Sequence, residues 1–136
     1  ATYPGIKKYI DDQVAAARAQ GYVETLFGRR RYLRDIDSRN QAVRGHSERN
    51  AINAPIQGTA ADIVKLAMIR IHDRLQREGL KSPMILQVHD ELVFDAYSTE
   101  VESLRELVKA EMESAFALKV PLVADTGVGR TWLKAH

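Results

Sequence analysis

Apolar residues near the start of the chain recur every three or four positions, which is the spacing of an amphipathic helix. This stripe covers residues 6–17, and Gly21 stands where a left-handed helix cap is expected. Residues 22–26 and 29–33 are instead β-prone, and a Phe-Gly pair typical of a turn separates them. The pattern therefore predicts a helix followed by a short β-hairpin.

The middle of the chain is predicted to be helical with one interruption. Ser38 and Gln41 have the spacing of a capping box, which satisfies free backbone N–H groups at the start of a helix. We expect a kink or break at Pro55, because proline removes one helical hydrogen bond and restricts the residue before it. A second helical stripe follows and is expected to end at Gly79. Its apolar members are Ala60, Ile63, Val64, Ala67, Met68, Ile71 and Leu75.

Two β-prone runs in the second half, residues 84–88 and 92–97, flank the polar sequence His89-Asp90-Glu91. This arrangement predicts an antiparallel hairpin with three polar residues at its tip. Both runs are apolar enough that we expect them to lie in a core.

The last third of the chain predicts one more helix and one more strand. Residues 99–102, Thr-Glu-Val-Glu, have a second capping-box spacing, and the helix after them is expected to reach Phe116. Residues 120–125 predict a final strand. The order of helices and hairpins predicts an α+β fold, with helices packed on one face of a small antiparallel sheet.

Length and composition exclude several classes of protein. A chain of 136 residues fits one domain, and 45% hydrophobic with 28% charged residues is ordinary for a globular protein. The absence of cysteine excludes a disulfide scaffold and thiolate metal sites. No apolar run reaches the roughly 18 residues of a membrane-spanning helix, so no membrane partner is expected.

Charge is unevenly distributed, since residues 1–68 have a net charge of +4 and residues 69–136 one of −2. This asymmetry is typical of a nucleic-acid-binding protein with a separate carboxylate site, although a solvated arginine-rich surface has the same composition. Arg29 and Arg30 directly follow a predicted turn, where contact with phosphate is expected. Seven arginines fall within one short stretch: Arg29, Arg30, Arg31, Arg34, Arg39, Arg44 and Arg49.

Asp90 and Glu91 are adjacent carboxylates that repel each other unless a cation neutralises them. Mg²⁺ typically takes one or two protein carboxylates and completes its shell with water and substrate phosphates. Because side chains alternate along a strand, only one of the two points squarely at such an ion, and we expect Asp90 to be the main ligand. The alternative interpretation is a polar turn that merely contains acids.

Arg49, Asn53 and Gln57 are four residues apart and share one face of a continuous helix, with a drift of only ~40° per step. All three side chains are rich in N–H donors. The minor groove presents acceptors in a nearly sequence-independent pattern, so this face suits a duplex of any sequence. An ordinary solvated helix face is the alternative.

Three segments resemble motifs of a known family. They are Tyr-Val-Glu-Thr-Leu-Phe-Gly-Arg-Arg-Arg-Tyr-Leu (22–33), Glu-Arg-Asn-Ala-Ile-Asn-Ala-Pro-Ile-Gln-Gly-Thr-Ala-Ala-Asp (48–62) and Gln-Val-His-Asp-Glu-Leu-Val (87–93). Their order and spacing resemble the C-terminal part of the bacterial family A DNA polymerases, over essentially the whole chain. The resemblance implies a cytoplasmic bacterial enzyme of DNA replication and repair, which extends a primer on template DNA from deoxynucleoside triphosphates.

The resemblance also implies a role for each matched position. Asp90 corresponds to the family's second metal-binding aspartate, Glu91 to its less important acidic neighbour, and His89 to a residue near the primer 3′ end. The donors of the 49–57 face correspond to residues that touch the minor groove of the primer–template duplex. Two-metal nucleotidyl transfer with Mg²⁺ is the implied mechanism.

The matched region implies only part of a polymerase. Residues 1–48 resemble the rear of the fingers subdomain, and residues 49–136 resemble the later half of the palm. The family's first metal aspartate lies in a segment beginning Asp-Tyr-Ser, which the chain lacks, as it lacks the helix that grips the incoming triphosphate. We therefore expect the chain alone to be inactive, and we expect an exposed sheet edge or apolar surface to favour self-association.

Two other functions are compatible with the residues. A non-catalytic, sequence-independent nucleic-acid-binding module would use the arginine-rich region alone. A small metal-dependent phosphodiesterase would need ligands besides Asp90 and Glu91, and His89, Asp95 and Asp125 are the nearby candidates.

Overall fold

The computed structural model describes residues 3–135, which form helices and two short antiparallel hairpins. The α+β class is therefore confirmed, but the strands form two separate two-stranded sheets, β1–β2 and β3–β4, instead of one. The elements in chain order are α1 (Pro4–Gln20), β1 (Tyr22–Glu24), β2 (Arg30–Tyr32), α2 (Gln41–Glu78), β3 (Met84–Val88), β4 (Glu91–Phe94), α3 (Val101–Glu113) and α4 (Trp132–Ala135).

The chain divides into two compact units, Ala1–Asp62 and Ile63–His136, and the division falls within α2. Each unit has its own apolar core and one hairpin. The core of the first unit consists of Ala17, Val23, Leu33, Ile36 and Ala51. That of the second unit consists of Ala67, Ile71, Leu75, Leu104, Leu107, Val108 and Ala115.

The first helix and hairpin form as the apolar spacing predicts. Gly21 has a φ of 79° and its N–H donates to the carbonyl of Ala17 at 2.8 Å, which ends α1. In the hairpin, Tyr22 lies opposite Tyr32, and their rings meet edge to face with centroids 5.6 Å apart. The cross-strand aromatic pair stabilises strands that are only three residues long.

The predicted capping box at the start of α2 is wrong by two residues. The helix begins at Gln41, and the side-chain oxygen of Asn40 accepts the N–H of Ala42 at 3.0 Å. Asparagine is as good a helix cap as serine, and Asn40 directly precedes the first helical residue. The Ser38 hydroxyl oxygen instead accepts the N–H of Asn40 at 3.3 Å.

The break expected at Pro55 is also wrong, because α2 continues through it as one helix. Proline leaves the carbonyl of Ala51 without its helical donor. In the same turn, the Tyr9 hydroxyl donates to the carbonyl of Ile52 at 3.1 Å. Ala51 itself is fully buried in the core of the first unit. Ala17 of α1 lies in the same core, so this part of α2 is held by contacts with α1 that local sequence alone does not reveal.

The stripe on the second half of α2 is confirmed, since Ala67, Ile71 and Leu75 are buried against α3. Gly79, with φ of 70°, ends the helix. Its N–H donates to the carbonyl of Gln76, and the N–H of the next residue donates to the carbonyl of Leu75, at 3.3 and 3.0 Å. This pair of bonds is a Schellman motif.

Two predictions about the last third are wrong. Helix α3 begins at Val101 with Glu100 at the cap position, but no side chain makes a capping hydrogen bond, so the box predicted at 99–102 does not form. Residues 120–125 are not a strand, and neither of the two sheets among residues 3–135 includes them. Instead the N–H of Ala124 donates to the carboxylate of Glu113 at 3.1 Å.

Among residues 3–135, no helix combines the length and apolar character that crossing a membrane would require.

Candidate functional site

The tip of the β3–β4 hairpin is a turn of two residues, His89 and Asp90. Val88 pairs with Glu91, so Glu91 is the first residue of β4 and not part of the three-residue tip expected from the sequence. Two-residue turns are the commonest hairpin connections, because their twist matches that of the strands. Asp90 therefore stands alone as the carboxylate of the turn.

His89 adopts a positive φ of 53°, which other residues than glycine rarely do. Such a conformation costs about 1–3 kcal/mol and persists only where the surroundings impose it. The side-chain amide of Gln87 donates to the carbonyl of His89 and closes the turn. The strained backbone sits directly before Asp90, and strain of this kind concentrates at functional sites.

The carboxylate of Asp90 is exposed and makes no hydrogen bond or ion pair with any residue in the part of the chain that the structure describes. Glu91 is partly buried beside it. Hard oxygen donors open to solvent are what Mg²⁺ binds. No group of three or more acidic, histidine or cysteine side chains placed to hold a metal occurs among residues 3–135. The hairpin could therefore provide one or two ligands of a magnesium site. Substrate phosphates, water and other carboxylates would provide the rest.

The two strands that carry this tip differ in burial, contrary to the expectation that both lie in a core. Leu92 and Phe94 of β4 pack against the core of the second unit. Ile85 and Leu86 of β3 are 59% and 48% exposed. An apolar sequence run does not show which strand of a hairpin faces a helix, so this difference was not predictable.

Arg49, Asn53 and Gln57 all lie on α2, where the uninterrupted helix gives them one common face. All three are exposed, and their side chains make no hydrogen bond or ion pair within residues 3–135. Their N–H donors therefore point to solvent. A ligand that offers acceptors along a groove would meet donors that no other part of the described chain uses.

Arg29 and Arg30, predicted to contact DNA, are held by neighbours within the first unit. The Arg29 guanidinium donates to the Asp62 carboxylate at 2.8 Å and to the carbonyl of Gly58 at 3.0 Å. Arg30 donates to Glu24 at 2.7 Å, which raises the pKa of Arg30 above its ordinary value. Both side chains are still about half exposed, so a role in DNA contact stays a prediction.

Three further arginines, Arg31, Arg34 and Arg39, are exposed and unpaired in the described chain. The sequence placed them in the same cluster as Arg29 and Arg30 but gave no means to separate paired from unpaired members. These three are therefore better candidates for contact with phosphate than Arg29 and Arg30. Unpaired guanidinium groups suit the backbone of a nucleic acid.

The sequence missed the contact that seats the β1–β2 hairpin on α2. The hydroxyl oxygen of Thr59 accepts the N–H of Leu26 at 3.0 Å. A Cβ atom at Gly58 would lie only 2.6 Å from the methyl carbon of Thr25, so glycine is what allows the turn to approach the helix. Glycine inside a helical pattern was the available signal.

Comparisons with known proteins agree on one family. The family model for DNA polymerase family A matches residues 1–134. The chain is 52% identical over 135 residues to DNA polymerase I of Geobacillus stearothermophilus and 53% identical over 133 residues to that of Streptococcus pneumoniae. These matches cover 99% and 98% of this chain, which spans about 15% of the length of either relative.

A solved structure gives the same result. The POL domain of Pol1 from M. smegmatis, in complex with DNA primer-template and dNTP, superposes with a TM-score of 0.95 at 47% sequence identity. The match covers 98% of this chain and 24% of that chain.

Proposed function

The chain belongs to DNA polymerase family A, and on that premise we propose that it supplies part of the nucleotidyl-transfer site of a template-directed DNA polymerase. The observation that carries the proposal is the exposed, unpartnered Asp90 carboxylate at a strained hairpin tip. Its substrates would be primer–template DNA and deoxynucleoside triphosphates, which the similar M. smegmatis structure contains.

Asp90 is proposed as a Mg²⁺ ligand, with Glu91 as a weaker second ligand and His89 near the primer 3′ end. Mg²⁺ held by Asp90 and Glu91 would supply Lewis-acid chemistry to two-metal nucleotidyl transfer, at the 3′-hydroxyl and at the phosphate oxygens. The protein's part is to hold the Asp90 oxygens toward solvent, free of competing donors. The left-handed backbone of His89 fixes the direction in which the next side chain leaves the turn.

The free donors of Arg49, Asn53 and Gln57 are proposed to grip the minor groove of the primer–template duplex. Contact with acceptors common to all base pairs holds DNA without selecting its sequence, which a copying enzyme requires. By the family resemblance, residues 1–48 are proposed as part of the fingers and residues 49–136 as part of the palm.

The 136-residue chain alone is proposed to be inactive. It contains one of the two metal aspartates of the family, because it has no Asp-Tyr-Ser segment. With a single such carboxylate, neither the 3′-hydroxyl nor the triphosphate is held for in-line attack.

A chimaera tests the proposal directly. The matched segment of the Geobacillus stearothermophilus polymerase is replaced by residues 1–135 of this chain, and primer extension is measured with Mg²⁺. We expect the chimaera to extend primers and the isolated chain not to. Extension by the isolated chain, or a folded chimaera that binds primer–template but never extends it, would contradict the proposal.

A second candidate, a non-catalytic nucleic-acid-binding module, is favoured by the unpaired Arg31, Arg34 and Arg39. This function predicts binding of the isolated chain to duplexes of any sequence, steeply weakened by salt and indifferent to Mg²⁺.

Self-association also stays a proposal, with the exposed Ile85 and Leu86 of β3 as its proposed surface. Gel filtration at high concentration, compared with an Ile85→Lys variant, tests it: a monomer in both would refute it.

A further inference from the structure

Glu100 stands at the cap position of α3, but its carboxylate turns away from the helix. One oxygen, Oε2, accepts the backbone N–H of Lys81 at 2.9 Å, the N–H of Ser82 at 3.1 Å and the Ser82 hydroxyl at 2.6 Å. The other oxygen lies 3.2 Å from the Lys81 nitrogen. A carboxylate is suited to this place because it only accepts, and every group that faces it donates.

Ser82 connects the two ends of the β3–β4 hairpin. Its side chain is buried, with the residue 1% exposed, and its hydroxyl oxygen accepts the N–H of Tyr97 at 3.0 Å while the hydroxyl donates to Glu100. The N–H of Asp95 donates to the carbonyl of Pro83 at 3.0 Å in the same layer. The residues that enter β3 and leave β4 are thus tied to the start of α3.

This base is fixed to the core of the second unit, because α3 buries Leu104 and Leu107 against α2. The five residues of β3 span about 17 Å from the base to the tip. Over that length, a tilt of about 3° at the base moves the tip by about 1 Å. A displacement of about 1 Å at a reacting centre costs about a hundredfold in rate.

We propose that Glu100, acting through Ser82, is a positioning residue that holds the β3–β4 hairpin so that Asp90 occupies one fixed place. The inference rests on the proposed function of Asp90 as a metal ligand. Glu100 itself is not proposed to touch substrate. Its contribution is the rigidity of the hairpin base.

The first experiment measures amide hydrogen exchange of the 136-residue chain. Glu100→Ala is compared with Glu102→Ala, a matched control on the same helix turn whose side chain is 77% exposed and, among residues 3–135, pairs only with Arg105. We expect exchange at Ser82, Tyr97 and the β3–β4 ladder to accelerate at least about tenfold in Glu100→Ala alone. Ser82→Ala, a milder change, is expected to show the same pattern should Glu100→Ala fold poorly. Unchanged exchange in the hairpin of both variants overturns the inference.

The second experiment uses the chimaera described above and separates positioning from general destabilisation. We expect Glu100→Ala to lower kcat about tenfold or more, as loss of a supporting contact behind a metal ligand does, and to leave the primer–template Kd within about twofold. In an Asp90→Asn background, Glu100→Ala should cost nothing further, because it acts through Asp90. An equal loss in both backgrounds overturns the inference.

The two proposals fail in different ways. If Asp90→Asn abolishes extension while Glu100→Ala leaves kcat unchanged, the positioning role is wrong and the proposed function stands. If Asp90→Asn extends primers normally, the proposed function is wrong, whatever hydrogen exchange shows at the hairpin.

Discussion

One added methyl group at Gly58 is expected to destabilise the first unit. An ideal Cβ there lies 2.6 Å from Cγ2 of Thr25 and 3.3 Å from Nη2 of Arg29. Carbon atoms in contact are normally about 3.5–4.0 Å apart, so the methyl overlaps the turn by about 1 Å. Either the β1–β2 hairpin moves away from α2, or Thr25 leaves its position.

The size of the effect follows from two opposing contributions. Replacing glycine by alanine inside a helix stabilises it by about 1 kcal/mol. Overpacking typically costs about 1–3 kcal/mol. Displacing the turn also weakens the bond from Leu26 to Thr59 and the bond from Arg29 to the Gly58 carbonyl, each worth about 1 kcal/mol. We expect a net loss of about 1–2 kcal/mol, or about 4–8 °C in Tm for a chain of this size.

The matched control is Gly45→Ala in the same helix. Its Cβ meets nothing closer than Nη1 of Arg49 at 3.7 Å, an ordinary contact, so the helix gain of about 1 kcal/mol should appear undiminished. Thermal unfolding followed by circular dichroism measures both variants.

A second substitution should restore stability. Thr25→Ser removes the methyl carbon and keeps the oxygen that accepts the N–H groups of Phe27 and Arg29. Gly58→Ala with Thr25→Ser is therefore expected to recover most of the lost Tm. A rise in Tm on Gly58→Ala alone, as large as that of Gly45→Ala, would refute the packing argument.

Three further outcomes are expected. In a double-mutant cycle by urea unfolding, the coupling energy between Arg29→Ala and Asp62→Asn should be about 1 kcal/mol. It should be no larger because the Arg29 side chain is 53% exposed and solvent screens the ion pair. Strictly additive effects would show that the ion pair contributes nothing to stability. The hydrogen bond from Ser82 is the largest cause that lowers the pKa of Glu100, so this group stabilises the fold above the ordinary carboxyl pKa and the benefit is lost as pH falls through the lowered value. The stability difference between the wild type and Glu100→Gln should therefore shrink between pH 7 and pH 3, and a constant difference would contradict this assignment. Ile71→Ala, at a fully buried position, should cost about 2–5 kcal/mol, whereas Ile69→Ala, 59% exposed on the same helix, should cost less than about 0.5 kcal/mol; similar losses for both would contradict the assigned core.

Periodic features of the sequence predicted the fold well where one face of an element is buried. The stripe around Ile71 and the glycine at position 79 correctly gave the second half of α2 and its end. The β3 strand matches residues 84–88 without adjustment. These signals are local, so the sequence contains them in full.

Capping was less predictable, because several polar residues near a helix start compete for the same role. Asn40 takes the cap that the spacing assigned to Ser38. Glu100 takes the start of α3, yet its carboxylate goes to Ser82, a partner 18 residues away. Tertiary contacts of this kind decide which side chain remains available to cap the helix. The spacing of residues near the helix start does not reveal these contacts.

The site was predictable in its members but not in their partners. Asp90 and the 49–57 face were identified from residue type and spacing, and the structure leaves both without competing contacts in the described chain. In the sequence, Arg29 and Arg30 looked equivalent to the other arginines. Only the fold shows that they form ion pairs with Asp62 and Glu24.

Comparing two carboxylates of one hairpin segment in the chimaera tests whether Asp90 is a metal ligand. Asp90 is at the turn and Asp95 follows β4, and each is changed to asparagine. We expect Asp90→Asn to lower kcat for Mg²⁺-dependent incorporation at least about a hundredfold, with the primer–template Kd unchanged, while Asp95→Asn extends primers normally. Normal extension by Asp90→Asn, or an equal loss from both substitutions, would contradict the assignment of Asp90 as a metal ligand.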